Sequence, residues 1–357
     1  MEKDPALQRV LPGMLAMARD TSTTVANGYQ LPFEKEINGL ARQIAQLEAR
    51  QAETGHNLSS EIRQIRAAYV SLLRTTYQNL SAWQLVQVAR HPSRPHSTDY
   101  IQRIVHDFVE LQGDRRFADD RAILCGLGRL GAGVGGERVV LVAQSKGKDT
   151  KEKIACNFGC AHPEGYRKAL RAMRLAEKFH LPVVTLIDTA GAYPGVGSEE
   201  RGVAEAIARN MLEMSRLRTP IACVIIGEGG SGGALGIGVG DRIAMLEFSY
   251  YSVISPEGCA SILWRTGEKA PDAAEAMKIT PKALKALDVV DDIIPEPLGG
   301  AHRNPAEAAS SLEHHVVRVL RELRRLPLDT LLQRRYDRWR RMGRYVEQAP
   351  QPAPQTA

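Results

Sequence analysis

Ile226-Gly227-Glu228-Gly229-Gly230-Ser231-Gly232-Gly233-Ala234 is the stretch whose reading decides this sequence. Before it, Pro220–Ile226 is an apolar run of strand length; after it, a helix begins. Glycines at such a junction admit φ > 0 and let a backbone come close to a ligand. The first N–H groups of the following helix have no acceptor within the helix and face whatever lies there. Three chemistries use such a turn. Gly227, Gly229 and Gly232 satisfy G-x-G-x-x-G, with Glu247 standing 20 residues beyond Gly227, the pattern of a dinucleotide-binding oxidoreductase. Against it, Gly236, Gly238 and Gly240 interrupt the expected crossover helix, and the match lies past the middle of the core. Gly229, Ser231 and Gly233 also satisfy G-x-S-x-G, the elbow of an α/β serine hydrolase. Asp291 and His302 follow in triad order, though no spacing marks them as partners. In the third reading the loop is an oxyanion hole, in which backbone N–H groups stabilise an enolate-like oxygen and Ser231 is a bystander or a helix cap.

Working outward, Pro182–Asp188 is a second short apolar strand, followed by the loop Thr189–Gly197 and a helix from about Glu199 to Met214. Ala122–Leu130 and Arg138–Ala143 read as a hairpin joined by the turn Gly131–Gly136. A Lys-rich loop (Lys146, Lys148, Lys151, Lys153) precedes a helix opened by Pro163. Val289–Ile294 reads as a late strand. A hairpin followed by strand–helix units predicts an α/β core with a largely parallel sheet. Upstream, Phe33, Ile37, Leu40, Ile44 and Leu47, then Leu58, Ile62, Ile65, Tyr69 and Leu72, mark two amphipathic helices in an antiparallel hairpin. Their seam packs on the chain's own core or on a second subunit. His91-Pro92-Ser93-Arg94-Pro95 reads as a rigid linker. The division expected is a helical arm over residues 1–82, a core over 83–310, and a basic helical tail over 311–357 whose last residues, from 346, are disordered.

Composition excludes several classes. No apolar run approaches a membrane span, and the first 30 residues lack the pattern of a signal peptide. Five scattered cysteines point to reduced thiols and a cytoplasmic setting. The chain carries a net charge of +6, and ten arginines between Arg318 and Arg344 face only Glu322, Asp329 and Asp337. A solvated helix surface accounts for that stretch, so nucleic acid is not expected as a partner. Cys156, Cys160 and His162 have no second pair to complete a zinc site, and no metal is expected in this chain. Helix capping accounts for Asp188, Glu199 and Glu200.

Longer strings carry a family resemblance. Glu228–Ala234, Asp188-Thr189-Ala190-Gly191-Ala192-Tyr193-Pro194-Gly195 and Tyr251-Ser252-Val253-Ile254-Ser255-Pro256-Glu257-Gly258-Cys259-Ala260 resemble the carboxyltransferase alpha subunits of bacterial and plastid acetyl-CoA carboxylase. Arg90-His91-Pro92, Pro163–Ala169 and Ile294–Pro305 agree, so the resemblance covers about residues 30 to 310. Ala190, where the family usually has Pro, and Cys160-Ala161-His162 depart from it. The resemblance implies a crotonase-like (ClpP/crotonase) spiral of ββα units with an N-terminal helical hairpin and a helical C-terminal tail. It implies transfer of a carboxyl group from carboxybiotin, held on a biotin carboxyl carrier protein loaded by biotin carboxylase, to acetyl-CoA. The product is malonyl-CoA for fatty acid biosynthesis. It implies a zinc-ribbon beta subunit as partner, in an assembly with two copies of each chain. Carried onto these residues, the hole for the biotin oxygen falls at Gly232 and Gly233, with Gly229 and Gly230 shaping the turn and Ala234 following. Gly191, Ala192, Tyr193, Pro194 and Gly195 would line the same cavity, Tyr193 as a wall.

Overall fold

The computed structural model describes residues 29–131 and 136–343. The signal-peptide reading at the N-terminus, the centre of the Gly131–Gly136 turn and the disorder expected from 346 onward lie outside these residues. Helices α1 (Lys35–Thr54) and α2 (Ser59–Gln78) form the expected hairpin, followed by α3 (Ala82–Ala89) and α4 (Ser97–Ile104). Strands β1 (Val105–Glu110), β2 (Ile123–Leu130) and β3 (Glu137–Gln144) come next, then α5 (Thr150–Ala155), α6 (Pro163–Lys178) and β4 (Val183–Thr189). Helices α7 (Val196–Glu200) and α8 (Val203–Arg216) lead to β5 (Ile221–Gly230), α9 (Ser231–Leu235), β6 (Arg242–Leu246) and β7 (Tyr250–Ser252). The chain closes with α10 (Pro256–Trp264), α11 (Ala270–Ala276), α12 (Pro281–Ala286), β8 (Asp292–Ile294), α13 (Pro305–Arg324) and α14 (Leu328–Arg340).

The strands form one sheet in the order β1-β2-β3-β4-β5-β6-β8, with β7 paired to the far end of β5. β1, β2 and β3 are antiparallel; every pairing from β3 onward is parallel. Period-two alternation assigns the two faces. Val183 and Ile187 of β4, with Ile221, Cys223 and Ile225 of β5, pack beneath α6 and α8. Val184, Leu186, Ala222, Val224 and Ile226 face α4 and α13 instead. A sheet covered on both sides needs uninterrupted apolar strands, and that is why β4 and β5 read as continuous runs.

Four expectations change. The helix read from Glu199 to Met214 is two helices, because Gly202 takes a left-handed φ of 77° between α7 and α8. His91–Pro95 is no linker: Arg94 is buried, forks onto Glu296 (2.9 and 2.6 Å) and donates to the Ile226 carbonyl (3.0 and 2.8 Å). The arginine-rich stretch is not simply a solvated surface. Arg335 is fully buried, pairs with Asp241 at 2.7 Å and donates to the carbonyls of Met214, Leu217 and Thr219. Residue 311, where a tail was expected to begin, lies inside α13, whose Leu312, Val316, Val319 and Leu320 belong to the core. The arm's seam is partly closed within the chain: Ile37, Ile44, Ile62 and Tyr69 are buried with Leu73, Tyr77 and Phe248, while Phe33, Leu40, Leu47, Leu58, Ile65 and Leu72 are half-buried against them.

His91 and His302 stack at 4.0 Å between ring centroids. Burial lowers the His91 pKa to about 4, and burial with the charges of His91, Arg303 and Arg94 lowers His302 to about 2. His91 Nδ1 accepts the Ser93 N–H at 3.1 Å, as a neutral ring can. A folded-state pKa below the unfolded one means stability that is complete above the unfolded value and lost as pH falls. The melting temperature is therefore expected to drop as pH goes from about 6.5 towards about 4, and His91→Gln should flatten that slope; equal slopes would show that the pair does not titrate in this window.

Candidate functional site

The site is built where β4 and β5 end. Their rungs run Ile187↔Ile225 and then Thr189↔Gly229, so β5 advances two residues further than β4 between consecutive pairs. Asp188 fills the resulting irregularity, accepting the Glu228 N–H at 3.0 Å. This corrects the capping account of Asp188. It also corrects the turn expected at Gly229 and Gly230, which are buried strand residues paired to Thr189 and to β7. The chain turns only at Ser231, which takes φ 52°. The N-cap is Gly230, so Ser231 lies inside the first turn and caps nothing.

Glycine is required here by close approach. A Cβ on Gly230 would stand 2.1 Å from the Ala190 carbonyl oxygen, and one on Gly233 would stand 2.4 Å from Gly191 C and 2.7 Å from Ala192 N. All these neighbours are backbone atoms that cannot swing aside. The structure thus brings together the two segments singled out in the sequence: the loop after β4 and the first turn of α9. Within that loop, Gly191 donates to the Thr189 hydroxyl at 3.1 Å and Tyr193 donates to the Ala161 carbonyl at 3.0 Å. The Tyr193 ring packs on His162 at 4.3 Å between centroids and remains 36% exposed. Pro194 and Gly195 lead into α7, and Gly195 packs under the Tyr193 ring.

A helix of five residues cannot stand by propensity alone. Side chains from elsewhere hold it. Gln144 donates to the Gly233 carbonyl at 2.8 Å, and Asn210 donates to the Gly236 carbonyl at 2.9 Å. Beside its first turn lies an apolar cavity of about 520 Å³, walled by Ser231, Gly232, Leu235, Tyr251, Val253 and Trp339. On the sheet's other face a buried ion network braces the same strand ends. Lys146 Nζ lies 2.7 Å from Asp188 and also pairs with Glu228. Arg90 bonds Glu228 at 2.7 Å, Glu257 at 2.5 Å and the Tyr250 hydroxyl at 2.7 Å. Burial alone would lower the Lys146 ammonium, but Asp188 and Glu228 outweigh it and raise its pKa. Burial pushes the Asp188 carboxyl up, yet Lys146 and His96 hold it well below the usual carboxylate range. The sequence reading passed over Gln144 and Asn210, met Arg90 only within a family string, and placed Lys146 in a Lys-rich loop that either contacts CoA phosphates or the carrier or is solvated.

The competing readings do not assemble. Asp291 accepts the Ile243 N–H at 2.7 Å and pairs with Arg338, while His302 stacks on His91, so neither is engaged with Ser231. Glu247 accepts the Glu296 N–H at 3.1 Å, and Gly227 to Gly230 continue a strand where a dinucleotide turn would have to be. His162 meets the Ser198 hydroxyl at 2.6 Å, and among the described residues no three His, Cys, Asp or Glu come together as a metal set. No helix of the described residues is long and apolar enough to cross a membrane.

A family model described as acetyl co-enzyme A carboxylase carboxyltransferase-like matches residues 30–343. The acetyl-coenzyme A carboxylase carboxyl transferase subunit alpha of Rhodopirellula baltica is 52% identical over 322 residues, covering 90% of this chain and 99% of the relative. The subunit of that name from Methylococcus capsulatus is 55% identical over 319 residues, covering 89% and 98%. The chain belongs to the acetyl-CoA carboxylase carboxyltransferase alpha-subunit family. Solved structures agree in fold. The beta subunit of Pseudomonas aeruginosa geranyl-CoA carboxylase superposes with a TM-score of 0.50 at 18% identity, over 70% of this chain and 46% of that one. A Pseudomonas malonate decarboxylase hetero-tetramer chain gives 0.50 at 16% identity, over 62% and 86%. The carboxyltransferase alpha fold is thus crotonase-like, with the helical hairpin α1–α2 added before it. Neither the hydrolase nor the oxidoreductase reading finds support among these relatives.

Proposed function

We propose that this carboxyltransferase subunit takes part in moving a carboxyl group from carboxybiotin, presented by a carrier protein, to acetyl-CoA. The biotin-side site is the turn at Gly232 and Gly233. Carboxybiotin, when docked, supplies an activated carboxyl group and develops negative charge on its ureido oxygen. The observation that carries the reading is the pressed contact between Gly233 and the Gly191–Ala192 backbone, beside the first turn of α9 and the apolar cavity. N–H groups of that turn have no acceptor within the helix and can donate to such an oxygen. An apolar cavity suits the ring system carrying the ureido group, so residues and ligand fit. The backbone does the work, positioned in advance; no side-chain base is required of this chain. Gly191 and Ala192 back the turn from the side of the β4 loop, while the walls of the apolar cavity come from other segments.

The reaction develops a second anion, on the acyl thioester, and the described residues offer no second Gly-Gly turn of this grammar between a strand and a helix. We assign that anion to a zinc-ribbon beta subunit, with biotin carboxylase as the enzyme that loads the carrier and two copies of each carboxyltransferase chain in the assembly. The purified chain is accordingly expected to convert no malonyl-CoA in either direction, with carrier or with a free biotin derivative. Adding the beta subunit should restore turnover. Robust transfer by the isolated chain, shown by mass spectrometry to be free of partner, would mean that the second site lies here after all.

A further inference from the structure

We propose that Gln144 is the positioning residue of the biotin-side site, the group that sets Gly233 against the end of β4. The inference rests on the reading of Gly232 and Gly233 given above and goes one step further back.

Gln144 is the last residue of β3 and is fully buried. The β3–β4 ladder stops at the pair Ala143↔Leu186. Beyond it the side chain takes over where the main chain leaves off: Oε1 accepts the Asp188 N–H at 3.0 Å. Nε2 donates to the Gly233 carbonyl at 2.8 Å. That carbonyl is passed over by its own turn, since the Gly236 N–H goes to Gly232 and the Ile237 N–H goes to Ala234. One amide therefore ties the two walls of the site together. Asp188 opens the loop that presses on Gly233, and Gly233 carries the turn whose N–H groups face the ligand. Because both ends of the Gln144 amide are engaged in a buried setting, the group has one satisfied orientation. The α9 turn has too few residues to hold its own tilt, so the position of its N–H groups is set from outside it. Misplacement of such donors by about 1 Å can cost on the order of 10²-fold in rate.

The test uses the chain assembled with its beta subunit and a biotinylated carrier. Gln144→Met keeps the bulk and removes both hydrogen bonds. Its kcat for carboxyl transfer should fall about 10- to 100-fold, while KM for acetyl-CoA stays within about twofold. Thr185→Ala, at a buried β4 position away from the turn, is the stability control; it should melt earlier yet keep kcat within about twofold. Should Gln144→Met not assemble, Gln144→Leu decides by the same readout, since its apolar side chain likewise removes the donation to Gly233 and the acceptor for Asp188 without adding a charge. A kcat near wild type in an assembled variant, a loss no larger than that of Thr185→Ala, or failure of both variants to assemble would overturn the positioning role. If Gly233→Val retains activity, the reading of the turn itself falls. If Gly233→Val is inactive and Gln144→Met is not impaired, only the role of Gln144 falls.

Discussion

Gly233→Val should leave no measurable carboxyl transfer in an otherwise assembled enzyme. The added Cβ would lie 2.4 Å from Gly191 C, 2.7 Å from Ala192 N and 2.8 Å from Gly191 O, all main-chain atoms of the facing loop. Relief requires either α9 or the loop to move by about an ångström or more, and valine's branch asks for still more room. Both movements withdraw the first-turn N–H groups from the point where the ligand oxygen would sit. Loss of one such donor typically costs about 10² to 10³ in kcat, and here the whole turn is displaced. Gly232 offers the contrast, since a Cβ there meets nothing nearer than Ile207 at 3.7 Å. Gly232→Ala should therefore fold normally and lose much less activity. The measurement is malonyl-CoA formation by chain, beta subunit and carboxylated carrier, at matched assembly. Near-normal output from Gly233→Val would remove the turn from the chemistry.

Much of the architecture was legible because apolar periodicity is written locally. The seam from Ile37 to Leu72 gave both arm helices, and the runs ending at Asp188 and Ile226 gave the two strands whose ends carry the site. The glycine turn was legible in kind but not in use. Its glycines suggested φ > 0, yet none from Gly227 to Gly233 adopts it; Ser231 does, and the glycines serve close packing instead. A sequence shows the absence of a side chain without showing what fills the space. The braces were illegible for a different reason. Gln144 and Asp188 are 44 residues apart, and Arg90 and Glu228 are 138 apart. No local pattern announces such a pairing. Charge composition actively misled, since Lys146 and Arg335 each sit within a run of basic residues whose other members are mostly exposed.

Removing the Lys146 ammonium should strongly destabilise the strand ends. Lys146 sits between Asp188 and Glu228, whose side chains are only 6% and 10% exposed. Arg90 and the Tyr250 hydroxyl would remain for Glu228, and His96, 3.5 Å away, would remain for Asp188. Lys146→Met therefore leaves one buried carboxylate with a weak partner and brings it into repulsion with another. Breaking a buried pair in this way costs about 3–5 kcal/mol, mostly from the charge left uncompensated rather than from the attraction lost. Two consequences separate this account from a simple packing defect. First, Asp188 has a folded pKa held below its unfolded value, so its contribution is present above the unfolded pKa and is lost as pH falls. In Lys146→Met the stranded carboxylate rises in pKa, and the deficit against wild type should shrink as the pH is lowered from about 7 towards about 5. Second, adding Asp188→Asn to Lys146→Met should recover part of the loss, while Asp188→Asn alone, which leaves the buried ammonium with Glu228 as its one carboxylate, should destabilise. Thermal melts of the four proteins at both pH values measure the cycle directly. A deficit independent of pH, with additive effects of the two substitutions, would show that Lys146 fills space at the strand ends and does not neutralise them.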